Sequence, residues 1–152
     1  MNQTEEFVKI VEAAKETKGV IFVTGKPGSG KSKVLREAAE DKRWDYVDCR
    51  MLISEDFLAV PKEERNAKAP AMMGEALASY NSEVILLDRL QTLFVPVFNL
   101  DVASLLKELG QKFVLVAAWP GYVKDGMLCY DKFDGTESIR IPQDGFTIWN
   151  VD

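Results

Sequence analysis

Apolar residues recur along this chain in two alternating rhythms. From Asn2 to Thr17, Phe7, Ile10, Val11 and Ala14 fall on one face of a helix. Gly19 to Thr24 is then a continuous, β-branched run of strand length. Lys31 to Asp41 returns to helical spacing, with Val34, Leu35, Ala38 and Ala39 sharing a face. Trp44 to Cys49 predicts a second strand, and Ser54 is placed to cap a short helix carrying Phe57 and Leu58. Pro61 suits the first turn of a further helix, with Glu63 and Glu64 at its positive end. Pro70 is expected to interrupt that helix, and Met72, Met73, Ala76, Leu77 and Tyr80 continue its pattern beyond. Glu83-Val84-Ile85-Leu86-Leu87-Asp88 is apolar at consecutive positions, as in a central strand covered on both faces. Asp101 opens a helix with Val102, Leu105, Leu106 and Leu109 in register and Gly110 as its stop. Phe113 to Ala118 is another buried strand.

After Ala118 the pattern changes. Trp119-Pro120-Gly121, Asp125-Gly126, Asp134-Gly135 and Asp144-Gly145 are turn signals. Between them Leu128/Tyr130, Ile139/Ile141 and Phe146/Ile148 alternate as strands do, which predicts a β-hairpin and a closing strand. No repeat, low-complexity segment or linker divides the chain, so residues 1–152 read as a single domain. Alternating helices and strands give an α/β class with a mainly parallel central sheet, a C-terminal β-hairpin and no helical lid domain.

Between the first strand and the second helix stands Gly25-Lys26-Pro27-Gly28-Ser29-Gly30-Lys31-Ser32, which satisfies the phosphate-binding pattern G-x-x-x-x-G-K-[ST]. Glycines let the backbone approach phosphate and turn successive N–H groups inward, and the helix N-terminus adds partial positive charge. Lys31 is placed to reach the β/γ-phosphates and the Ser32 hydroxyl to hold Mg²⁺, with Lys33 closing the binding segment. A strand before and a helix after make a chance glycine-rich turn the weaker reading, and the fold expected is a three-layer P-loop NTPase with an ASCE/AAA-like core.

Use of a nucleotide needs a carboxylate in the metal shell as well. Asp88 ends an apolar strand, where ligands gather in parallel sheets, and is the Walker B candidate for the metal. The next residue is Arg89, where many such ATPases carry the acid that polarises water, and arginine stays protonated. Asp48 is a candidate base if the second strand lies beside the Asp88 strand, and Glu55 is a weaker one. For both, a capping or solvated acid is the favoured alternative. Arg89 is expected in a structural ion pair, and Trp119 in packing, since neither it nor Ala118 can sense a γ-phosphate. Arg50, Arg65 and Arg140 are candidate fingers acting in trans, each more commonly a surface residue.

Composition narrows the chemistry. The chain has 152 residues, 47% hydrophobic and 28% charged, enough for one core without staples. It contains no histidine, which removes Ser-His-Asp triads, His-based metal sites and imidazole acid–base steps. A net charge of −5 argues against a large basic surface, so DNA contact is not indicated, although a local patch or an assembled ring could supply one. Cys49 and Cys129 lack C-x-x-C spacing and read as free thiols in a reducing cytoplasm, with a single disulfide left open. The apolar runs are too short to span a bilayer, and no secretory leader pattern opens the sequence.

Over most of its length the chain resembles BrxF, the small P-loop protein of type 3 BREX phage-exclusion systems. The resemblance rests on Gly25–Ser32 and on Ile85-Leu86-Leu87-Asp88 followed by Gln91-Thr92-Leu93-Phe94. Its most distinctive block is Val114-Leu115-Val116-Ala117-Ala118-Trp119-Pro120-Gly121, with Asp125-Gly126, Leu128 and Tyr130 after it. It implies an ATP- and Mg²⁺-binding component of a multi-protein defence system, with other BREX proteins and further copies of itself as partners. In that family an acid often follows the Walker B Asp by a few positions, where this chain has Gln91. The competing readings are a non-catalytic nucleotide-binding scaffold, a nucleoside-monophosphate kinase and a GTPase switch. The kinase reading lacks an arginine cluster, and the GTPase reading lacks N-K-x-D and D-x-x-G.

Overall fold

The structure, a computed structural model, describes residues 2–131 and 138–151, so the Asp134-Gly135 turn lies outside the described residues. Helix α1 spans Gln3–Ala14 and begins where the Asn2 side chain accepts the Glu5 N–H at 2.8 Å. Strand β1 (Gly19–Thr24) leads through the glycine-rich loop into α2 (Lys31–Lys42). Strand β2 (Asp45–Asp48) is followed by a 3₁₀ turn at Cys49–Leu52 and by α3 (Glu55–Ala59), capped by Ser54 as expected. Then come α4 (Lys62–Ala78), β3 (Val84–Asp88), 3₁₀ turns at Leu90–Phe94 and Pro96–Phe98, α5 (Val102–Leu109) and β4 (Val114–Ala118). The C-terminal part holds β5 (Tyr122–Lys124), β6 (Met127–Asp131), β7 (Ser138–Pro142) and β8 (Thr147–Asn150).

Five strands form one parallel sheet in the order β2-β3-β4-β1-β8. Side chains alternate across a strand, so an all-apolar strand must find a core on each side. Phe22, Ile85, Leu87, Leu115 and Ala117 point to one face, where α4 and α5 bury Met73, Leu77, Leu105 and Leu106 against them. Ile21, Val23, Leu86, Val114 and Val116 point to the other, covered by Phe7 and Val11 of α1 and Val34, Leu35 and Ala38 of α2. Burying one such side chain contributes about 1.5–3 kcal/mol, so the two cores are what hold the loops at the strand ends in place.

Two expectations are corrected. Helix α4 runs unbroken across Pro70. An interior proline costs about 3 kcal/mol by removing a bond to the residue four back. Here Ala69, Met73, Gly74 and Leu77 are buried on both sides of it, and packing of that face against α5 overrides the break. The tail is more than a hairpin and a strand: β5, β6 and β7 form an antiparallel sheet, while β8 joins the large sheet parallel to β1. Three exposed residues at Tyr122–Lys124 gave no alternation from which to read β5. The turn joining β5 to β6 was legible, since Asp125 and Gly126 take φ 52° and 75°, the pair of left-handed residues a two-residue hairpin turn demands.

Candidate phosphate-binding site

The glycine-rich loop crosses from the C-terminal end of β1 to the N-terminus of α2, and its turn closes through Ser29 N–H to Lys26 C=O at 3.0 Å. Gly28 and Gly30 take φ 82° and 99°, where side chains are strained although space is open around them. Gly25 is required for a different reason: a Cβ there would lie 2.5 Å from Ser29 Oγ and 2.6 Å from Val151 Cγ1. Helix α2 starts at Lys31, and its N-cap Gly30 has no side chain to cap the first turn, so the dipole end faces the loop. Lys31 Nζ lies 2.9 Å from the Gly25 carbonyl oxygen, folded over the loop. The Ser29 hydroxyl oxygen is buried with no hydrogen-bond partner, an arrangement that costs free energy. An uncapped helix end, a lysine and an orphaned hydroxyl in one loop fit a phosphate chain.

Asp88 ends β3 two strands away, with β4 between it and β1. The Tyr46 hydroxyl donates to Asp88 Oδ2, and the Arg89 backbone N–H donates to Oδ1 at 2.9 Å. The carboxylate is therefore oriented from two sides. Burial and the neighbouring Asp88 push the Tyr46 phenol up from its ordinary value, against an opposing pull from Arg36 on α2. Among the described residues no three Asp, Glu or Cys side chains gather as a metal cluster. A magnesium ion here would depend on phosphate oxygens and water, with Ser32 and Asp88 as the protein ligands, which is the usual arrangement for that ion beside a nucleotide.

The condition placed on Asp48 is met: β2 pairs with β3, and Asp48 lies in register with Asp88. Its chemistry is poor for a base. Arg50 donates to it through Nη2 at 2.8 Å and through Nε, and Arg89 Nε adds a third guanidinium contact at 3.0 Å. The Arg50 hydrogen bonds, with a smaller pull from Arg89, hold the Asp48 carboxyl below its ordinary value. A more acidic carboxylate is a weaker proton acceptor. Arg89 thus has the structural ion pair expected of it, from a left-handed backbone at φ 57°. Glu55 stands in the first turn of α3, a favoured place for an acid on structural grounds alone.

The remaining candidates are dispersed. Lys33 pairs with Glu37 along α2 at 3.8 Å. Arg65 donates to the Val60 and Leu58 carbonyls at 3.0 Å, and Arg140 pairs with Asp131 at 2.8 Å. Trp119 is fully buried, packs on Phe22 and Phe94, and its indole N–H donates to Cys129 C=O at 3.0 Å. Gly121 beside it admits no side chain, because a Cβ would come within 1.8 Å of the Cys129 carbonyl oxygen. Cys49 and Cys129 are free and buried, and burial pushes the Cys49 thiol up, away from thiolate chemistry. Tyr46 and Arg36 are the participants that sequence reasoning missed; a tyrosine two residues before an acid carries no signal until strand order places it beside Asp88.

No protein-family model matches the chain, and no curated protein matches it. Twenty chains of solved structure do match. One is the crystal structure of a DNA replication initiation factor, 22% identical, with 72% of this chain and 36% of that chain covered and a TM-score of 0.36. This chain spans little more than a third of that structure's length, and so distant a likeness says nothing about function. No helix among the described residues is long and apolar enough to cross a membrane.

Proposed function

We propose that this chain is an Mg-ATP-binding subunit of a BREX-type phage-defence system, built on a three-layer P-loop NTPase core of the ASCE/AAA-like kind. The observation that carries the nucleotide part of the reading is the loop itself, with no side-chain cap at the α2 N-terminus, a lysine folded over it, and a buried hydroxyl lacking a partner; the defence-system part rests on the resemblance at residues 114–121. Asp88, fixed at the end of β3 by Tyr46 and the Arg89 N–H, supports a metal role beside it. When bound, Mg²⁺ would neutralise phosphate charge. In this reading the chain's own residues divide the work: Gly25 to Lys33 holds the phosphates, Lys31 balances their charge, and Ser32 and Asp88 hold the metal. Bound nucleotide then controls self-association or docking to the larger defence proteins, in the cytoplasm.

A specific observation favours a second reading, a scaffold that binds nucleotide without turning it over. Asp48, the candidate base in register with Asp88, is occupied by two guanidiniums. Steady-state phosphate release and particle size, each measured with and without Mg-ATP, separate the two readings. Release above background supports the first reading in its hydrolysing form, a subunit that turns ATP over weakly, and nucleotide-dependent size without release supports the scaffold. Phage protection and ATP binding both surviving in Lys31→Ala would sink both.

A further inference from the structure

From the geometry we infer that Tyr122 is a stacking platform for the base of the nucleotide held by the phosphate loop; this rests on the P-loop reading above. Beside that loop lies an open cleft of about 230 Å³. One wall is Gly25, Lys26 and Pro27, the other is Tyr122 and Val123 of β5, and Asn150 at the end of β8 closes it. The cleft is smaller than the roughly 300–1,000 Å³ of pockets that take whole drug-sized ligands, and it suits a base alone.

Its position agrees with the direction a nucleotide must take. Asp88, the metal candidate, lies two strands from β1 on its β3 side, whereas this cleft sits at the end of β1 itself, between the chain leaving β4 and the end of β8. A triphosphate whose terminal end points toward Asp88 leaves its sugar and base at the end of the loop away from that carboxylate. There Tyr122 is 42% exposed and Val123 is 38% exposed, two apolar surfaces with no partner in the core.

Tyr122 is also fixed at both ends, unlike an ordinary surface aromatic. Its carbonyl accepts the Trp119 indole N–H at 3.3 Å, and its hydroxyl donates to Asp131 at 2.8 Å. Arg140 binds the same Asp131 at 2.8 Å and lies 5.9 Å from the Tyr122 ring centroid. Arg140, an arginine-finger candidate by sequence, is therefore one of the residues that hold this ring. A ring immobilised before binding loses little entropy when a base stacks on it.

The test compares ATP with inorganic tripolyphosphate, which has the phosphates and no base, by calorimetric titration of the full chain with Mg²⁺. Tyr122→Ala is expected to weaken ATP binding about 5- to 150-fold, the range for one aromatic stack. It is expected to leave tripolyphosphate binding unchanged. Tyr122→Phe keeps the ring and is expected to stay within about threefold of wild type for ATP. The platform is overturned if Tyr122→Ala binds ATP like wild type, if it loses both ligands equally, or if Tyr122→Phe loses as much as Tyr122→Ala. If wild type binds neither ligand, the P-loop reading fails first, a result distinguishable from failure of the platform.

Discussion

Ser29→Ala should make the ligand-free protein more stable while reducing what it gains from nucleotide. The hydroxyl oxygen of Ser29 lies against Gly25, buried and without a partner. Leaving a buried polar group unpaired costs about 1–3 kcal/mol. Alanine keeps the Cβ and removes only the oxygen, so the small void left behind offsets part of that gain. A net stabilisation of about 1 kcal/mol corresponds to about 2–4 °C in Tm for a chain of this size. Thermal unfolding by circular dichroism without nucleotide reads it directly, and urea unfolding should show a higher midpoint at unchanged slope. Mg-ATP at equal concentration should then raise the Tm of wild type by more than that of the variant, because stabilisation by a ligand grows with the logarithm of its affinity. A ligand-free Ser29→Ala protein less stable than wild type would mean that the hydroxyl is already satisfied and is not an orphan awaiting phosphate.

Three further outcomes follow from the same geometry. Asp88→Asn should weaken ATP binding about ten- to a hundredfold in Mg²⁺, the worth of a charged contact of about 1.5–3 kcal/mol; with a chelator present the variant and wild type should titrate alike. Asp48 has its folded pKa depressed by Arg50 and Arg89, so the stability it contributes is complete above its ordinary value of 3.8 and is lost as pH falls below it. Exposure of the arginines limits this to about 1 kcal/mol or less, and Asp48→Asn should therefore flatten only the acid limb of a urea-midpoint-versus-pH curve. Gly121→Ala forces a Cβ to within 1.8 Å of the Cys129 carbonyl, so β5 must part from β6. It should cost about 1–3 kcal/mol, read as a lowered Tm, while an unchanged Tm would mean the two strands are not so closely paired.

What the sequence revealed depended on how local the signal was. Strand β1, the loop and α2 are contiguous, and each announces itself through apolar spacing or glycine. Strand β3 was legible because it is apolar on both faces, and Asp88 because it ends that run. The pairing of Asp48 with Asp88 depended on which strands are neighbours, a fact set by packing and invisible in a linear pattern. For the same reason Arg89 could be given an ion pair but not its partner. Pro70 misled because local propensity pointed to a break that tertiary burial of α4 overrode. Tyr46 and Tyr122 went unseen because an aromatic acquires a role only from what lies across from it.

In the proposed function the Gly25–Ser32 loop holds a nucleotide by its phosphates. Titrating wild type and Lys31→Ala with ATP and Mg²⁺ in a calorimeter tests it most directly. One ATP should bind per wild-type chain, and Lys31→Ala should bind it at least about tenfold more weakly, a loss of about 1.4 kcal/mol or more. Equal affinity in the two proteins, or no heat of binding in wild type, would contradict it.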